Sequence, residues 1–122
     1  MEKDLKNLLL KDLYGRFPYG VIVEIKAHNC HDAICRLSIQ DMESFMNNQP
    51  RDVHWNDKVV SIKPYLLPMS SMSEEHRKEY VSTFESGISS CRSFDWLNEH
   101  HYDYRHLIDK SLAIDATNLN VY

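Results

Sequence analysis

Glycine is scarce in this chain: there are three in 122 residues, and none lies in a glycine-rich run. A phosphate-cradling loop needs glycines so that backbone amides can approach an anion, so the nucleotide-binding loops are excluded. Cysteine is scarce as well. Three cysteines at irregular spacing make no disulfide framework and include no C-x-x-C pair. A reducing cytosol suits them, and the expected location is cytoplasmic. No apolar run approaches the roughly 20 residues that a membrane-spanning helix requires. Glu2 and Asp4 interrupt the N-terminal stretch, so no signal peptide is expected. Positive charge is not in excess either. The formal net charge of −4 gives no general pull towards nucleic acid or anionic membranes.

What is present is ordinary for a globular protein, with 43% hydrophobic and 26% charged residues. The length predicts one domain, residues 1–122, able to bury a modest core without disulfides or metal. The chain turns on one stretch, Lys63 to His76. Upstream, residues 16–68 are patterned as strands; downstream, residues 71–113 are patterned as helices. Pro64 and Pro68 fix φ and push Lys63 and Leu67 towards extended backbone. Pro64 is expected to end a strand, since it fits poorly within a central one. Ser71 and Ser73 are both candidate N-caps, and Ser71 with Glu74 has capping-box spacing.

Taken in order, Leu5, Leu8, Leu9 and Leu13 recur at helical spacing and predict a helix from residue 2 to about 14, with Gly15 as its C-cap. Val21 to Lys26 alternates as a strand with Val21, Val23 and Ile25 on one face. Ala27 to Asp32 should turn. Ala33 to Gln40 reads as a second strand of an antiparallel hairpin, with Cys35, Leu37 and Ile39 facing the core. Asp41 should cap a short helix to Asn48 carrying Met42, Phe45 and Met46. Lys58 to Ile62 is β-branched and reads as a third strand. A helix is expected over Glu74 to Glu85, ended by Gly87, with a linker over Ser89 to Arg92. Ser93 should cap a third helix containing Phe94, Trp96 and Leu97. Tyr104 to Leu112 is expected to continue as helix, burying Leu107, Ile108 and Leu112. Leu119 and Val121 suggest a tail that docks on the body. The fold class is therefore α+β: a small antiparallel sheet of about three strands packed by helices, with a helical C-terminal half.

Two segments carry a resemblance. Lys63-Pro-Tyr-Leu-Leu-Pro-Met-Ser-Ser-Met-Ser-Glu-Glu is similar to Lys-Pro-Tyr-Leu-Arg-Pro-(Met/Leu)-Ser-Ser-Met-Thr-Glu-Glu. Asp95-Trp-Leu-Asn-Glu-His-His-Tyr-Asp-Tyr-Arg-His-Leu-Ile-Asp-Lys-Ser-Leu-Ala resembles Asp-(Tyr/Trp)-Leu-Asn-x-x-His-x-Asp-(Tyr/Phe)-Arg-Gly-Leu-Ile-x-Lys-Gly-Leu-Ala. Both patterns belong to small uncharacterised proteins of gut Bacteroidetes and their phages or prophages. Together the two segments cover about a quarter of the chain. The sequence departs from the pattern at Leu67, His106 and Ser111, where the group tends to carry Arg, Gly and Gly. The resemblance implies an origin in a mobile element or its host and supplies no activity.

Several residue groups could carry chemistry. His28, Cys30, His31 and Cys35 offer imidazole and thiolate, which suit zinc. Their spacing matches no zinc-ribbon or finger pattern, and a polar hairpin turn accounts for His28 and His31. His100, His101, His106 and Cys91 form a second group. On a continuous helix His100 and His101 diverge by roughly 100° and would not chelate together. No nucleophile motif accompanies the cysteines and seven histidines, so no catalytic, metal or cofactor residue is assigned. Asp95 with Glu99, and Glu74 with Glu75, read as solvated helix faces. The candidate interaction surface is Tyr65, Leu66 and Leu67, with Tyr102, Tyr104 and Arg105. The expected function is a non-enzymatic interaction module of phage or mobile-element association, binding a protein partner or a second copy of itself. One alternative is nucleic-acid binding through a sheet face bearing Lys26, Arg36, Lys58 and Lys63. A second is a small metal-dependent enzyme using the histidines.

Overall fold

A computed structural model describes residues 2–85 and 91–122. Among them the fold is α+β. Four α-helices, α1 (Lys3–Arg16), α2 (Ile39–Asn47), α3 (Glu74–Glu85) and α4 (Cys91–Glu99), accompany five strands, β1 (Ile22–Ala27), β2 (Ala33–Arg36), β3 (Val59–Pro68), β4 (Tyr102–Asp103) and β5 (Ile114–Asp115). The sheet is mixed. Its antiparallel centre runs β2-β1-β3, and the two short strands β4 and β5 add to β3 in parallel. The core joins Leu9 and Leu13 of α1, Met42 and Phe45 of α2, Val23 and Ile25 of β1, and Ile62 and Leu66 of β3. No helix among the described residues is long and apolar enough to cross a membrane.

The leucine stripe of α1 does face the core, but Gly15 does not end the helix. Arg16 is tied back to Asp12 one turn earlier (Nε to Oδ2, 2.8 Å), and both side chains are fully buried. The helix tightens into a 3-10 turn at Phe17–Tyr19, and Gly20 closes it with φ of +70°, a left-handed conformation that glycine adopts without a side-chain clash.

The second strand stops at Arg36, short of the expected Gln40, because Ser38 caps α2: its Oγ accepts a bond from Asp41 N–H. Asp41 is thus inside the first turn and not the cap, and Ile39 is helical and exposed. Cys35 does not reach the core. It stands opposite Val23 on β1, but all four residues of β2 are exposed.

Pro64 does not end a strand. β3 continues through both prolines, and it changes partners at the first. β1 pairs with residues up to Pro64, β5 takes Tyr65 and Leu66, and β4 takes Leu67 and Pro68. Backbone groups alternate between the two edges of a strand. Tyr65 C=O points to the edge that β1 occupies, since it shares a hydroxyl with Ile22 of that strand, so Pro64 sits where no donor is required from it. The shared hydroxyl belongs to Tyr122. It accepts from Ile22 N–H (3.0 Å) and donates to Tyr65 C=O (2.6 Å), filling the rung that would follow the Val23–Pro64 pair. The tail therefore docks, as its apolar residues suggested.

Ser73, and not Ser71, caps α3: its Oγ accepts from His76 N–H at 3.1 Å, while Ser71 Oγ donates to Pro68 C=O. Gly87, Ser89 and Ser90 lie outside the described residues. Ser93 is no cap, because α4 starts at Cys91; it is buried against α3, 2.8 Å from Thr83 Oγ1. The expected helix over Tyr104 to Leu112 is absent. Leu107 and Leu112 are buried there, but in turns. The Asp103 carboxylate accepts from the N–H groups of Leu107 and Ile108, offering the backbone an alternative to helix. His101, His106 and Ser111 all take positive φ, which breaks helical propagation.

Candidate functional site

The residues expected to form an interaction surface are mostly structural. Tyr65 (6% exposed), Leu66 (0%) and Tyr102 (2%) are buried, and Leu67 is half-buried. Being flanked by prolines did not leave them on an exposed linker, because the stretch is the central strand. Tyr104 and Arg105 belong to a buried ionic knot. Asp12 accepts from Arg16 and from Arg105 Nη1 (2.7 Å), Arg16 Nη2 donates to Tyr102 C=O (2.6 Å), and both guanidinium groups lie over the Tyr104 ring. The knot fastens α1 to the segment after α4. His101 stacks on Tyr122 at 3.6 Å, and burial pushes its pKa down to about 4, so it is neutral beside Arg16 at ordinary pH.

The two most exposed large apolar side chains among the described residues lie elsewhere. Val53 and Trp55 are 77% and 72% exposed on the loop between α2 and β3. The backbone beneath them is well fixed. Arg51 pairs with Asp41 (2.8 Å) and Asp57 (3.2 Å), and Asp57 also accepts from Asp52 N–H at 2.7 Å. That amide bond, and then the Arg51 charge, hold the Asp57 carboxyl below its ordinary range. Asp52 in turn accepts from His54 N–H (2.9 Å), and a bridge between Pro50 and Lys58 closes the base. Asn29, from the β1–β2 turn, donates to the carbonyls of Trp55 and Asn56 at 3.3 Å each. The loop and the hairpin turn thus form one tip. Sequence reading missed it because the ties come from residues distant in the chain, although an aromatic residue within a polar, turn-forming run was the available signal.

The two histidine and cysteine groups come apart. His28, Cys30, His31 and Cys35 are all exposed around the hairpin, and Cys30 and Cys35 are free thiols. His101 and His106 do not join His100. Instead His100 meets residues of α3: among the described residues, the ligand atoms of His76, Glu79 and His100 lie within 4.8 Å of one another. His76 and Glu79 share a face of α3 at i, i+3. His100 directly follows α4, and its Nδ1 donates to Trp96 C=O at 2.9 Å. His76 Nδ1 is 2.8 Å from Tyr102 Oη. Trp96 stacks on His100 (4.0 Å between ring centres) and meets His76 edge-on.

Of the basic residues expected on one sheet face, Lys26, Arg36 and Lys63 do share the outer face. Glu24 stands among them, directly opposite Lys63. Comparison with known proteins returned no matching family model, no matching curated protein and no matching solved structure.

Proposed function

We propose that this chain is a non-enzymatic interaction module that binds a protein partner through the tip formed by residues 51–57 and the β1–β2 turn. The observation that carries the reading is Trp55, 72% exposed on a loop whose backbone is already tied down. Tryptophan dominates many binding hot spots. A loop fixed before encounter avoids much of the ordering cost of association. Val53 beside it enlarges the apolar contact.

The resemblance to phage and Bacteroidetes proteins points to a mobile-element origin. Its two glycine positions, occupied here by His106 and Ser111, both have positive φ (58° and 60°), the conformation glycine favours. The free, exposed thiols of Cys30 and Cys35 suit a reducing cytoplasm. Nucleic-acid binding ranks lower, since Glu24 interrupts the basic face and the net charge is −4.

The test places a photo-crosslinking amino acid at Val53 in the full chain, in cells of the host. One discrete protein adduct is expected, suppressed by excess unlabelled protein but not by its Trp55→Ala variant. The same label at Val81, exposed on α3, should give none. An adduct that the Trp55→Ala variant suppresses equally well, or no adduct above the Val81 control, would overturn the reading.

A further inference from the structure

We infer that His76, Glu79 and His100 hold a divalent transition-metal ion, with zinc as the reference case. The inference is independent of the tip. Two imidazoles and one carboxylate are a donor set suited to zinc and its late first-row neighbours, and unsuited to magnesium or calcium, which prefer oxygen. Their ligand atoms already lie within 4.8 Å of one another. Ligands about 2.0–2.1 Å from a tetrahedral zinc stand about 3.3 Å apart. Closure by at most about 1.5 Å is within reach of side-chain rotation, and Glu79 is exposed.

The outer hydrogen bonds prepare the same nitrogen on both rings. A carbonyl only accepts, so His100 Nδ1 carries the proton it donates to Trp96, and Nε2 keeps its lone pair. His76 Nδ1 is occupied by Tyr102 Oη, and a metal at Nε2 selects the tautomer in which Nδ1–H donates to that oxygen. Metal-bound histidines almost always donate their other nitrogen in this way, which fixes ring orientation. Trp96, stacked on one ring and edge-on to the other, walls the apolar side. Glu79, Trp96 and His100, though not His76, also line a cleft of about 500 Å³ together with Arg92, Asp95 and Glu99. Its acids outnumber its one base, which favours a cation. Three protein ligands leave a position for water or a small ligand, the arrangement of an open centre and not a closed structural one.

The test is calorimetric titration of the purified, chelator-stripped full chain with zinc chloride. One equivalent should bind saturably. His100→Ala and Glu79→Gln should each weaken binding by about 10–100-fold or more, with unchanged circular dichroism for Glu79→Gln, whose side chain is exposed. A Cys30→Ser/His31→Ala variant should bind as the parent does. In a Trp55→Phe background, cobalt(II) should quench the remaining Trp96 emission with the same stoichiometry. Absence of saturable binding would overturn the site. So would binding that survives Glu79→Gln and His100→Ala, or that is lost with Cys30 and His31, since the ion would then sit at the hairpin turn.

Discussion

Leu66 and Ser73 sit seven residues apart in the organising stretch and have quite different weight. Leu66 is fully buried in the central strand, so Leu66→Ala removes apolar contact and leaves a cavity, at about 2–5 kcal/mol. Ser73→Ala removes one cap bond and should cost about 1 kcal/mol. Ser71→Ala should cost less than either, since Ser71 caps nothing. Denaturant melts of the three variants check this order. Much of the burial at this scale was legible in the sequence, because hydrophobic spacing alone marks Leu9, Leu13, Val23 and Ile25, whereas Leu66 stood among the candidate interaction residues and is core. The ionic knot was not. Asp12 and Arg16 read as the polar face of a helix and its loop, yet both are 0% exposed. Nothing in linear spacing reveals that Arg105, 93 residues away, completes their pairing.

Helix and strand ends were the least legible features, for an identifiable reason: each is set by a side chain that competes for backbone groups. Ser38 takes the amide of Asp41 and starts a helix where alternation had suggested strand. Asp103 takes two amides and dissolves the helix expected after it. The two glycines near the end of α1 separate conformational need from simple tolerance. Gly15 is helical, and a Cβ there would come no closer than 3.4 Å to Asn98, an ordinary contact. Gly15→Ala should therefore stabilise the protein by about 0.4–1 kcal/mol. Gly20 has φ of +70°, and an added Cβ would lie 3.1 Å from the Arg36 guanidinium. Gly20→Ala should destabilise by about 1–2 kcal/mol. Thermal melts that moved both variants in the same direction would contradict this division.

Across the whole molecule, the sheet is completed by a side chain. The candidate metal centre was illegible for a related reason, since two of its ligands come from α3 and the third from the residue that follows α4. Nearly half of Tyr122 is exposed (47%), but its hydroxyl end is enclosed and burial pushes its pKa up to about 12. An unfolded tyrosine ionises near 10. The folded state thus keeps a proton that the unfolded state loses, and the contribution is complete below pH 10 and lost as pH rises to 12. With partial exposure discounted, that difference is worth roughly 1–2 kcal/mol. Tyr122→Phe should cost about 1–3 kcal/mol at pH 7 by leaving Ile22 N–H and Tyr65 C=O unbridged. Its deficit against the parent should shrink between pH 10 and 12, as chemical melts across that range would record. The same hydroxyl also orders events in time. It joins Ile22 to a residue 100 positions downstream, whereas the hairpin of β1 and β2 closes over a few residues. Long loops close late in folding, because their entropy is lost before any contact compensates it. The rung that Tyr122 supplies should then form after the rate-limiting step. In stopped-flow measurements Tyr122→Phe should leave the folding rate nearly unchanged and speed unfolding. The bond between sheet and tail thus acts as a brake on opening and contributes little to assembly.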